Sequence, residues 1–168
     1  MKILMLCPRL PYPLNKGEKI RAFHHLRFLA RKHDVTLMSL VDSPEDLRHV
    51  PLLRELVGQV EVVPVAPWRA TLRALAALAS GRPMSVRYFR SPFFRRRLRS
   101  LIDRGEYDLV FAYSSAMAQY VDDGLALPVV ADFVDMDSQK WLQYAQRSAF
   151  PLSALWRLVL AVPALLAP

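Results

Sequence analysis

Residues Met1–Arg31 read MKILMLCPRLPYPLNKGEKIRAFHHLRFLAR, and this stretch decides the fold. Ile3 to Cys7 is an unbroken apolar run, which predicts a strand buried on both faces, as at the centre of a parallel sheet. Pro8, Pro11 and Pro13 punctuate the loop that follows. A helix is expected from Asn15–Gly17 onward, with Ile20, Phe23, Leu26 and Ala30 on its inner face at helical spacing. Asn15 followed three positions later by Glu18 has the form of a capping box. The amides of Lys16, Gly17 and Glu18 would then be free donors at the positive end of the helix dipole. They would sit at the carboxyl edge of the sheet, where open α/β folds bind anionic groups. Gly17 has no Cβ, so a ligand oxygen can come close to its backbone.

The rest of the chain repeats the same alternation. Val35–Val41, Val60–Val65, Tyr107–Tyr113 and Pro128–Phe133 are apolar runs of strand length. Between them, Ser43-Pro44-Glu45-Asp46 opens a helix with Leu47, Val50, Leu53 and Val57 inward, kinked or split at Pro51 and stopped by Gly58. A further helix is expected over Thr71–Ser80, then a linker over Arg82–Arg90. Ser91-Pro92 starts a helix over Phe93–Arg104, with Phe94, Leu98, Leu101 and Ile102 inward. Ser114-Ser115 starts another running to about Asp122. Strands alternating with helices give an α/β fold, a doubly wound, Rossmann-like parallel sheet of five strands with helices on both faces. At 168 residues and 53% apolar content, one compact domain accounts for most of the chain.

Composition narrows the function classes. The net charge of +8 is concentrated: from Arg69 to Arg104 there are ten arginines, no lysine and one acid, Asp103. Such a segment attracts polyanions, anionic lipid among them, or serves only as a solvated helix face. No nucleic-acid reading motif accompanies it, so nucleic acid is not an expected partner. The single Cys7 forms no internal disulfide, and Met1-Lys2 leads straight into a strand without a signal peptide. A cytoplasmic setting is expected, with peripheral contact on the inner face of the cell membrane. Residues 150–168 form an apolar tail, too short and proline-broken for a membrane span of about 20 residues.

Glycines occur only at 17, 58, 81, 105 and 124, so there is neither a dinucleotide-binding fingerprint nor a Walker A loop. The histidines at 24, 25, 33 and 49 have no metal-ligand spacing, and no metal is expected. What remains is polar groups at the carboxyl ends of strands: Gly17 and Glu18 after the first, Ser114 and Ser115 after the fourth, Asp135 and Asp137 after the fifth. In a doubly wound sheet these ends meet at one crevice. Each also has a plain structural use, Glu18 in the capping box and Ser115 and Asp137 as helix caps.

The stretches PRLPYPLNKGEKIRAFHHLRFLA, SGRPMSVRYFRSP, DLVFAYSSAMAQYV and VADFVDMDSQKWLQYA, in this order, give residues 1–149 a family likeness. The chain resembles the N-terminal domain of GT-B glycosyltransferases of family 4, above all sugar transferases associated with exosortase (PEP-CTERM) and exopolysaccharide systems. The resemblance implies an acceptor-side domain of an enzyme that moves a sugar from a nucleotide-sugar donor to a lipid-linked or polysaccharide acceptor. It implies that Lys16 and Gly17 lie beside the donor diphosphate, and that Glu18, Arg21, Ser114, Ser115, Asp135 and Asp137 line the acceptor cleft. Many relatives have two glycines before the first helix, and Lys16 holds the first of those places here. Some carry a histidine where this chain has Ser114-Ser115, so no catalytic residue is assigned. The resemblance further implies a C-terminal donor-binding domain missing from these 168 residues, with residues 150–168 leading toward it. The chain alone is then expected to show little transferase activity. The alternative is a non-catalytic Rossmann-like module that binds a phosphorylated ligand or an anionic membrane.

Overall fold

The computed structural model describes residues 1–76, 84–121 and 124–133. Strands β1 (Lys2–Cys7), β2 (Asp34–Val41), β3 (Gln59–Pro64), β4 (Leu109–Tyr113) and β5 (Val129–Asp132) form one sheet in the order β3-β2-β1-β4-β5. Every neighbouring pair is parallel. The chain turns outward one way from β1 through β2 to β3, then the other way through β4 to β5. The switch point therefore lies between β1 and β4.

β1 is central because it is apolar on both faces. Leu4 and Leu6 pack into one core layer with Met38, Leu40, Phe94, Leu98 and Leu101. Ile3, Met5 and Cys7 pack into the other with Ala22, Leu26, Leu37, Leu53 and Val57. The two-residue period of a strand sends alternate side chains to opposite layers, and helices cover both.

Helix α1 spans Gly17–Ala30, but it is turned relative to its apolar pattern. Lys19, Ala22 and Leu26 are buried, Phe23 and Ala30 are half-buried, and Ile20 is exposed. The cause is an ion pair. Lys19 is carried into the interior and met there by Asp46 at 2.6 Å, so the buried stripe includes a cation. The capping box is also absent. Asn15 closes a turn through its amide to the Pro13 carbonyl, Lys16 becomes the cap residue, and no side chain caps the helix. Glu18 then falls one position short of the place a capping box requires, and Arg9 takes its carboxylate at 2.7 Å.

Residues Pro44–His49 form a 3₁₀ helix that passes into α2 (Val50–Val57), so the segment is split next to Pro51, as expected. Leu47 on the 3₁₀ part is exposed, against expectation, whereas Val50, Leu53 and Val57 are buried. Gly58 ends α2 with φ of 71°, a conformation that favours glycine. Helix α3 spans Pro67–Ala76, four residues earlier than expected, because Pro67 takes the first helical position. Part of the expected Arg82–Arg90 linker is a short helix, α4 (Met84–Tyr88), and Tyr88 and Phe89 next to it pack on the core. Helix α5 (Pro92–Ile102) is capped by Ser91, whose Oγ accepts from the Phe94 amide at 3.2 Å, and it buries Phe94, Leu98 and Leu101. Helix α6 is only Ser115–Ala118, shorter than expected. No helix among the described residues is long and apolar enough to cross a membrane. The expected tail at 150–168 lies outside the described residues.

Candidate functional site

The carboxyl ends of β1 and β4 meet the first turn of α1. The link is direct: the Tyr113 hydroxyl at the end of β4 donates to the Glu18 carbonyl at 2.9 Å. Burial pushes the Tyr113 phenol up to about 12, so it stays a neutral donor. Burial likewise raises the Cys7 thiol, which leaves that cysteine an unreactive packing group.

Gly17 is exposed at this edge, and nothing lies within 4 Å of where its Cβ would be. Its φ is not in the left-handed region, so the backbone itself does not require glycine there. Glycine instead keeps the approach to the helix amides open. The first turn of α1 has no intrahelical acceptors for its amides, and Lys16, also exposed, stands at its start.

Three polar groups organise the floor and walls. Arg9, in the proline loop after β1, joins Glu18 to Asp42: Nη1 donates to Glu18 Oε1 at 2.7 Å and Nε to Asp42 Oδ2 at 2.8 Å. The guanidinium lies over the Phe89 ring at 4.9 Å. Burial alone would lower the arginine's pKa, but the bonds and charges of Asp42 and Glu18 outweigh it and hold it above its ordinary value. Arg21, one turn into α1, grips Asp132 at the end of β5 with two contacts of 3.0 Å. His25 Nε2 approaches the same carboxylate at 3.7 Å.

Ser114 follows β4 directly. Its φ of 85° with ψ of 144° is a conformation that side-chain-bearing residues seldom adopt. The strain is held by two bonds: its amide donates to the Asp132 carbonyl at 2.7 Å, and its Oγ accepts from the Ala116 amide at 3.2 Å. The sequence shows no glycine-flanked turn here, yet the backbone turns sharply all the same. Ser115 begins α6 and is half-buried.

Of the expected site residues, the fold gathers Lys16, Gly17, Glu18, Arg21, Ser114 and Ser115 around the switch point. Asp135 and Asp137 lie outside the described residues. Glu18 is not an open cleft carboxylate, because Arg9 holds it. Arg9, Asp42, Tyr113 and Asp132 escaped the sequence reading. Arg9 had one usable signal, as the only charged side chain in the loop from Pro8 to Leu14.

The crevice floor is closed. The space bounded by Arg9, Glu18, Lys19 and Tyr113 holds only about 10 Å³, barely room for one water. A ligand at the switch point would therefore lie on the rim, over the start of α1. A wider cavity of about 520 Å³ opens beside it, at the carboxyl ends of β2 and β3. No group of three or more histidine, cysteine or acidic side chains among the described residues is placed to hold a metal ion. No protein-family model matches the chain, and a comparison with curated proteins finds no significant relative.

Proposed function

We propose that this chain is the acceptor-side half of a sugar transferase, which moves a sugar from a nucleotide-sugar donor to a lipid-linked or polysaccharide acceptor. The observation that carries the reading is the tie between Tyr113 and the Glu18 carbonyl. It holds the open amino end of α1 against the end of β4, at the switch point of a doubly wound sheet. Transfer from a nucleoside diphosphate develops negative charge on the leaving diphosphate. Backbone donors at a helix start are suited to stabilise that charge without a metal. Lys16 and the amides of Gly17 and Glu18 would face the diphosphate. Arg21 and Ser114 would border the acceptor, held in position by Asp132. The sequence likeness supplies the reaction class, and the geometry supplies a place for the charge.

The test is an NMR titration of the full chain with uridine diphosphate. Amide signals of Gly17, Glu18, Ser114 and Ser115 should move together, and Gly17→Val should remove the response. The Gly17→Val chain should still fold, since its added Cβ meets nothing within 4 Å. Shifts confined to other parts of the sheet edge, or an unchanged response in Gly17→Val, would overturn the reading.

A further inference from the structure

The cavity of about 520 Å³ beside the crevice has the size of a small-ligand site. Its lining carries three guanidinium groups, Arg69, Arg73 and Arg90, against one carboxylate, Asp42. That carboxylate is already engaged, since Oδ2 accepts from Arg9 at 2.8 Å and from the Tyr88 hydroxyl at 3.4 Å. None of the three arginines has a salt bridge to a carboxylate among the described residues. Arg69 lies over the Trp68 ring at 4.9 Å. Arg73 Nε is shielded from solvent and has no hydrogen-bond partner among the described residues.

Two more features point the same way. Helices α3 and α5, of ten and eleven residues, both begin on this cavity, at Pro67 and Pro92. Their positive dipole ends therefore add to the charge of the arginines. The remaining wall is apolar, built from Val41, Leu47 and Val65. A bare inorganic anion would leave that wall wet.

We propose that this cavity is a second anion site, which takes a phosphate or diphosphate ester of an apolar group. It is separate from the switch-point crevice and does not rest on the sugar-transfer reading. The arginines hold the phosphoryl oxygens, and the apolar group covers Val41, Leu47 and Val65.

Calorimetry on the full chain with geranyl diphosphate and with inorganic pyrophosphate tests this, alongside sedimentation with phosphatidylcholine vesicles that do or do not contain phosphatidic acid. Geranyl diphosphate should bind about tenfold or more tightly than pyrophosphate, because only the ester covers the apolar wall. The R69Q/R73Q/R90Q chain should bind at least about tenfold more weakly, while R31Q/R96Q/R104Q, which removes the same charge elsewhere, should bind within about twofold. Vesicle binding that requires phosphatidic acid, is lost in R69Q/R73Q/R90Q and occurs without geranyl diphosphate binding assigns the ester to a lipid headgroup. Binding of geranyl diphosphate without vesicle binding assigns it to a soluble ligand. Where the triple variant fails to fold, phenylglyoxal modification of the unaltered chain gives the same information: geranyl diphosphate should protect Arg69, Arg73 and Arg90 and leave Arg31, Arg96 and Arg104 reactive. Equal weakening in both triple variants, equal affinity for pyrophosphate, uniform protection, or binding of neither ester nor vesicle overturns the proposal.

Discussion

Lys19 and Asp46, 27 residues apart in sequence, form an ion pair of 2.6 Å with both side chains largely withdrawn from solvent. It fastens α1 to the 3₁₀ helix after β2, and it explains why an apolar helix face was displaced by one residue. A buried charge whose partner is removed costs far more than the pair itself contributes. Lys19→Met should therefore destabilise the chain by about 3–5 kcal/mol in urea unfolding. The double change Lys19→Met with Asp46→Leu should return to within about 1 kcal/mol of the original. A double variant no more stable than Lys19→Met would show that the pair is not the dominant contact there.

Tyr113→Phe deletes the bond to the Glu18 carbonyl and should cost about 1 kcal/mol. The same tyrosine sets an alkaline limit together with Tyr120. Burial raises both phenols from 10 to about 12. The unfolded chain then loses these protons first, so stability is intact below pH 10 and falls as pH rises toward 12. Denaturation midpoints measured across that range should decline, and less steeply in Tyr113→Phe. A flat profile would contradict the assignment.

Arg97 on α5 and Glu61 on β3 meet at 2.8 Å. The bond to Arg97 holds the Glu61 carboxyl below its ordinary value of 4.5. A lowered carboxyl pKa gives stability that is present above the unfolded value and is lost as pH falls through the folded one. Glu61→Gln should cost up to about 1 kcal/mol at neutral pH, since the pair is partly solvated. Its deficit should shrink below pH 4.5 as the original chain protonates. A deficit that persists unchanged in acid would rule out the ion pair as its source.

Arg9 is expected to resist replacement even by lysine. Its forked donors reach Glu18 and Asp42 at once and its flat face covers Phe89, which a single ammonium group cannot match. Arg9→Gln should lose about 1–2 kcal/mol and Arg9→Lys roughly half of that. The crevice floor should also open, seen as faster hydrogen exchange of the Glu18 and Lys19 amides. Arg9→Lys with stability and exchange equal to the original would refute the bridging role.

The sheet was legible in the sequence because every strand reads as a run of apolar residues, four of them buried on at least one face and the edge strand β5 not. Ile3–Cys7 and Val35–Val41 differ from the observed strands by one residue at one end. The doubly wound class was legible, whereas the strand order that puts the switch point between β1 and β4, beside Gly17, Arg21 and Ser114, came from the structure. The polar framework was not legible. Arg21 meets Asp132 across 111 residues, and Arg9 meets Asp42 across 33. No local period encodes such pairs. Lys19 in particular violated the helical pattern because a distant acid made its burial tolerable. Helix α3 starts at Pro67, ahead of the apolar periodicity that begins at Thr71, because a proline suits the first helical position without adding to that period.

The sheet ends differently on its two sides. β3 finishes one side with Gln59, Glu61 and Pro64, of which a proline has no amide to offer a newcomer. β5 pairs with β4 alone among the described residues, and its Val129 and Val130, with Phe133 just after it, are 40%, 47% and 59% exposed. Among the described residues β5 is thus the more open edge, the one better suited to pair with an added backbone segment.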